Sequence, residues 1–149
     1  MTSADSVYQS SLSVRCADFD SAQNIYLYAF QDIASGDLYA QAADSLTGSV
    51  LMSPFKINTN APLTSMLRVI AQNGYIYIFY ADSVATALKY RRLNLANPTT
   101  LEAETAVPSG GYGGICGFDA VAIDTTRIAI AFQNGASKVT FGVFSGTIS

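Results

Sequence analysis

One apolar run, Ile25-Tyr26-Leu27-Tyr28-Ala29-Phe30, followed by a polar turn at 31–37 and then Leu38-Tyr39-Ala40, is written three times in this 149-residue chain. It returns as Ile76-Tyr77-Ile78-Phe79-Tyr80, a turn at 82–86 and Leu88-Lys89-Tyr90. It returns again as Ile128-Ala129-Ile130-Ala131-Phe132, a turn at 133–137 and Val139-Thr140-Phe141. The aromatic after the turn falls at Tyr39, Tyr90 and Phe141, and 90 − 39 and 141 − 90 both give 51. A fixed period of this size means one supersecondary unit repeated, each copy too small to bury its own apolar side.

The runs carry strand chemistry. They are dominated by β-branched and aromatic residues, and no segment sustains helical periodicity, so the chain reads as all-β. In the first copy, alternating residues at 12–19 predict a short strand, 25–30 a wholly apolar one, 38–43 an amphipathic one, and 50–57 a fourth, demoted to a sheet edge by Pro54. The second copy repeats this at 67–70, 75–80, 88–95 and 101–107, with Asn73-Gly74 as a hairpin turn. The third offers 118–123, 128–132 and 139–144 and lacks a fourth strand. Because the second strand of each copy has no polar side, both of its faces are expected to be covered.

Four-stranded repeats of about 50 residues with a fully apolar second strand resemble the blades of a β-propeller. The pattern is similar to the degenerate propeller repeats of phage tail and other virion proteins. It carries no Trp-Asp or kelch-type signature, and the chain has no Trp. The resemblance implies one all-β domain over 1–149, with blades at approximately 12–58, 64–108 and 115–149, the last without its outer strand.

Three blades cannot close a ring and leave two apolar faces in water, more than a soluble monomer usually exposes. A second chain completing a six-bladed ring answers this, the first blade of one meeting the third of the other. Residues 5–10, around Val7-Tyr8, could then pair along 141–144 of the partner as the missing strand. A β-trefoil, also three four-stranded repeats, is the alternative fold. A piece of a larger propeller completed by other chains is a third possibility.

Composition narrows the functions. Eight basic against eleven acidic residues give a net charge of −3, and the only basic cluster is Lys89 with Arg91-Arg92, read as a solvated strand face, so no nucleic-acid partner is expected. No apolar run is long enough to span a bilayer as a helix, and the N-terminus has neither the basic nor the apolar region of a signal peptide, so membrane insertion is not expected. Cys16 and Cys116 read as small buried apolar side chains; a bridge between chains is geometrically conceivable.

Histidine is absent, which excludes Ser-His-Asp and Cys-His catalysis. Paired carboxylates, Asp18 with Asp20 and Asp119 with Asp124, are the remaining route to an enzyme, one acting on glycosidic bonds. Asp18-x-Asp20-x-x-x-Asn24 faintly matches a calcium loop but lacks the turn glycine and the terminal glutamate; Asp20 capping a turn is the plainer reading, and no cofactor or metal is expected. The flexible stretch Ser109-Gly110-Gly111-Tyr112-Gly113-Gly114 is no phosphate loop. In a propeller, the loops joining fourth to first strands and second to third strands share one end of the ring. Tyr112, Asp32, Asp82 and Asn134 would gather there as a binding face for a protein or a glycan. Two function classes follow: a non-enzymatic structural or interaction module, and a carbohydrate-binding propeller.

Overall fold

A computed structural model describes residues 12–59, 62–82, 87–107, 115–134 and 139–145, with side chains described at all of these except 12–15, 62–65, 115–116, 134, 140 and 144–145. Among them are eleven strands and no helix. The first sheet holds β1 (Leu12–Asp20), β2 (Ile25–Asp32), β3 (Leu38–Asp44) and β4 (Val50–Lys56). The second holds β5 (Pro62–Gln72), β6 (Tyr75–Asp82), β7 (Ala87–Asn94) and β8 (Thr105–Ala106). The third holds β9 (Ile115–Ala122), β10 (Arg127–Asn134) and β11 (Val139–Ser145). Each is an open antiparallel meander in chain order, and each copy of the repeat is one sheet.

Turn chemistry sets the meanders. Asn73 (φ 50°) and Gly74 (φ 76°) form a two-residue turn between β5 and β6, the left-handed pair that matches strand twist. Between β1 and β2 the turn is longer: Asp20 Oδ1 accepts the Gln23 N–H at 2.9 Å, and Asn24 (φ 54°) closes it. Even so, the second strands open at even intervals. Ile25 opens β2 and Tyr75 opens β6, an interval of 50, whereas Arg127 opens β10 after an interval of 52. The apolar runs align at 51, but side chains alternate with period two, so that alignment turns one sheet over. Ile25, Leu27 and Ala29 face the second sheet, while Ile76, Ile78 and Tyr80 face back toward the first.

Packing follows from these parities. The first core lies between the first two sheets, with Leu27, Leu38 and Met52 against Ile76, Ile78 and Leu93. The second lies between the second and third sheets, with Tyr77, Phe79 and Tyr90 against Ile128, Ile130 and Phe132. The first strands of the sheets run side by side, β1 against β5 and β5 against β9. Of the three second strands, β6 alone is covered on both faces by described residues, every residue after Tyr75 being buried. Within the chain, the expectation that the apolar strands are sandwiched is met by β6. On β2, Tyr26 is 39% exposed, and beyond Ala129 and Ala131 of β10 the third sheet meets solvent, because no described residue lies past the outer sheets of the row.

Two expectations are corrected. The fourth strand of the second copy shrinks to Thr105–Ala106 plus an isolated bridge from Leu101 to Leu93; the Glu102 N–H still donates to the Arg92 carbonyl, and the Glu102 and Glu104 side chains turn back onto the basic residues of β7. That basic cluster is also not a solvated face. Lys89 Nζ lies 2.5 Å from both Asp82 and Glu104, Arg91 Nε donates to the Ile57 carbonyl at 2.6 Å, and Arg92 pairs with Glu102 while lying 4.2 Å over the Tyr75 ring. Cys16 is a free, half-buried thiol packed against the first core. The side chain of Cys116 and the arm at 5–10 lie outside the described residues.

Candidate functional site

The second strand of each sheet has eight residues and ends on a polar one: Asp32 on β2, Asp82 on β6 and Asn134 on β10. Three of the four candidate binding-face residues thus occupy the same place in their sheets, at one end. The fourth, Tyr112, lies outside the described residues, as does the Asn134 side chain.

The linker from β4 to β5 reaches this same end. Asn58, 3% exposed, accepts the Leu38 N–H through Oδ1 at 2.7 Å and donates through Nδ2 to Asp37 at 2.9 Å; Lys56 closes the group on Asp37 at 2.8 Å. Hydrogen bonds from Lys56 and Asn58 hold the Asp37 carboxyl below its ordinary value. Linker and β2–β3 turn are thereby fused into one polar ledge. Asp32 belongs to it as a turn cap, accepting the Ser35 hydroxyl at 2.6 Å and the Ser35 N–H at 3.0 Å, which lowers its pKa.

Asp82 has a different environment from Asp32. It is 1% exposed and anchors a buried cluster with Lys89, Glu104 and Tyr80, whose hydroxyl donates to Glu104. The Thr59 N–H adds a further bond to Glu104 at 3.2 Å, so the first linker is tied to the second sheet. Burial alone would raise the Glu104 carboxyl, but hydrogen bonds from Lys89 and Tyr80 outweigh it and the net shift is down. Burial lowers the Lys89 ammonium, and the two carboxylates more than restore it. Burial and the adjacent Glu104 push the Tyr80 phenol up. The cluster is an ion-paired lock beneath the ledge. The pairing of Asp82 with Lys89 has a sequence signal: Asp82 is the lone charge of β6, and Lys89, the first charge of β7, stands diagonally across the turn between them.

At the opposite end, the hairpin tips of the three sheets meet around a shallow cleft of about 500 Å³ lined by Asp20, Gln72, Asn73, Ile123, Asp124 and Thr125, among others. Gln72 crosses from the second sheet to the third, its Nε2 donating to the Asp124 and Arg127 carbonyls. The carboxylates singled out for acid–base work sit near here, and each is committed. Asp18 accepts its neighbour's N–H and that of Ala71 at 2.7 Å; Asp119 pairs with Arg68 at 2.5 Å; Asp124 caps its turn and pairs with Arg127 at 2.6 Å. Arg68 holds Asp119 below its ordinary value, and Arg127 draws Asp124 down to about 2. Among the described residues no group of three or more Cys, Asp and Glu is arranged to hold a metal.

No family model matches the sequence, and no curated protein does. Solved structures are informative. The chain is similar in fold to part of AofleA. A triple arginine-to-alanine mutant of that protein, from Arthrobotrys oligospora, superimposes with a TM-score of 0.60 over 93% of this chain at 13% identity, and the match covers 40% of AofleA. The three arginines replaced in AofleA are evenly spaced, since 150 − 97 and 203 − 150 both give 53. In this chain Arg15 and Arg68 are also 53 apart, but Val121 stands at the next interval, so an evenly spaced arginine triplet is not repeated here.

Proposed function

We propose that the chain is a non-enzymatic assembly and binding module: three propeller blades in an arc, completed to a ring by further blades, presenting the ledge and its neighbouring loops to a protein ligand. One observation carries this reading. β6 is buried on both faces, while the outer side of the first sheet leaves Tyr26 exposed and that of the third leaves Val121, Phe141 and Val143 exposed. Convergence of β1, β5 and β9 supports blades around an axis. No strand of one sheet pairs with a strand of another among the described residues, which favours this arrangement over a trefoil barrel. The likeness is to part of a longer protein, since the match covers two fifths of AofleA.

A non-catalytic role fits the carboxylates. A glycosidic acid needs a raised pKa; Asp119 and Asp124 are moved the other way. Placement among virion modules rests on the repeat resemblance alone. A carbohydrate-binding propeller is the second reading; the fold shared with part of AofleA is compatible with it. A glycan array separates the two. The assembly reading expects no sugar class to bind; repeated binding of one class would establish the second. Tyr112→Ala is expected to weaken whichever ligand is found, and unchanged affinity would move the site away from that loop.

A further inference from the structure

We infer that the cleft at the hairpin tips is a binding site for a primary ammonium group on an aliphatic stem, that of an alkylamine or of a lysine side chain in a polypeptide. The site lies at the end opposite the ledge and is built within one chain, so it does not depend on how a ring is closed.

Gln72 carries the argument. Its side chain is 6% exposed and forms part of the cleft wall. Nε2 donates to two carbonyls at the edge of the third sheet, those of Asp124 and Arg127. These two bonds fix the amide, because a flipped group would set its oxygen against both carbonyls. Oε1 is therefore the free end, and it is buried and accepts no hydrogen bond from any described residue. A buried acceptor left unanswered is destabilising, so this wall favours a ligand that brings a donor.

Charge selects among donors. Asp20 lines the same cleft; its Oδ1 caps the turn on the Gln23 N–H, and no described cation pairs with the carboxylate. Arg68 is held by Asp119 and Arg127 by Asp124. Asp18, two residues earlier on the same side of β1, also has no cation among the described residues and gives its oxygens to the N–H groups of Phe19 and Ala71. Two carboxylates without a counter-ion, together with an amide oxygen, favour a cation over a neutral hydroxyl.

Shape and carbon select among cations. A metal ion is disfavoured, since the described residues gather no group of three or more carboxylates or thiols. The compact three-donor head of a primary amine suits a single buried oxygen better than the planar guanidinium fork does. Ala71, Ala122 and Ile123, the last 48% exposed, also line the cleft and give an aliphatic stem a surface to lie on. The volume of about 500 Å³ is that of a small-molecule site.

Titration of the folded chain with n-butylammonium chloride, followed by amide chemical shifts and referenced to sodium chloride at equal ionic strength, tests this. A saturable shift is expected at the Gln72 side-chain amide and at Asn73, Ile123 and Thr125. n-Butanol, which has the stem without the charge, is expected to give none. Asp20→Asn keeps the oxygen that caps the turn and removes the charge, and it should weaken binding about tenfold or more. Asp44→Asn removes the same charge from a turn cap outside the cleft and should leave binding unchanged. A Gly-Lys-Gly peptide blocked at both ends distinguishes the sources: tighter binding than n-butylammonium names a polypeptide lysine, weaker binding a free amine. Absence of a saturable shift overturns the inference, as does equal binding of n-butanol or an equal loss in the two variants.

Discussion

The Asp18 carboxylate accepts the backbone N–H of Ala71 at 2.7 Å, tying the first strand of the first sheet to that of the second where no strand ladder joins them. The same side chain also receives the Phe19 N–H at 2.8 Å. Asp18→Ala leaves the Ala71 N–H without its acceptor and is expected to cost about 1–3 kcal/mol. Asp18→Asn keeps an acceptor oxygen and should cost less than half of that. Urea unfolding of the two variants checks the order; equal losses would show that charge, not the bond, is what matters.

Asn58 makes the corresponding tie at the other end. It accepts the Leu38 N–H and donates to Asp37, so Asn58→Ala should destabilise by about 1–3 kcal/mol and speed exchange of the Leu38 amide. Asn58→Asp restores the acceptor but sets a second carboxylate against Asp37. Its loss should therefore shrink as the pH is lowered from 7 toward 4, which unfolding midpoints across that range would reveal.

Lys89 holds two buried carboxylates together. Lys89→Met leaves Asp82 and Glu104 without their cation and is expected to cost about 3–5 kcal/mol at pH 7. The pH dependence changes sign. In the wild type Glu104 titrates below its ordinary 4.5, so its contribution is present above that pH and is lost as pH falls through the lower folded value. Without the ammonium, burial dominates and raises both carboxyls, so the variant should gain stability as pH drops from 7 to 5. Parallel curves for the two proteins would contradict this.

Burial of β6 on both faces makes adjacent positions equally sensitive. Ile78 faces the first sheet and Phe79 the third, and neither has exposed surface. Ile78→Ala should cost about 2–5 kcal/mol and Phe79→Ala about 3–5 kcal/mol, read from chemical unfolding. In a sheet with one wet face, one of the two would be nearly silent.

How much of this was legible in the chain depends on what each residue's role requires. Asn73-Gly74 announces its turn because only left-handed residues fit there, and the apolar runs mark second strands because nothing else places five or six apolar residues in a row. The shift in facing between Ile25 and Ile76 was hidden, since the apolar runs align at an odd interval of 51 while their strands open 50 apart, which leaves the runs looking alike but reverses which side is core. Whether a face such as that of Tyr26 is wet depends on what lies beyond it, and no local pattern encodes that. For the same reason Asp32 and Asp82, alike in sequence position, diverge: one caps a turn, the other is drawn inward by Lys89 and Glu104. The arginines of β7 looked solvent-facing because their acceptors, the Ile57 carbonyl and Glu102, come from segments with no fixed sequence distance.

Hydroxyl-radical footprinting tests the outer faces most directly, because it reads the same side chains in the wild type, expected to be completed by further blades, and in a Phe141→Asp variant, expected to be monomeric. Tyr26 and Val143 should be protected in the wild type and reactive in the monomer, while Leu46, 77% exposed in the β3–β4 turn, reacts equally in both. Tyr26 and Val143 reacting as freely in the wild type as in the variant would contradict the account, since those faces would then be wet in the working protein.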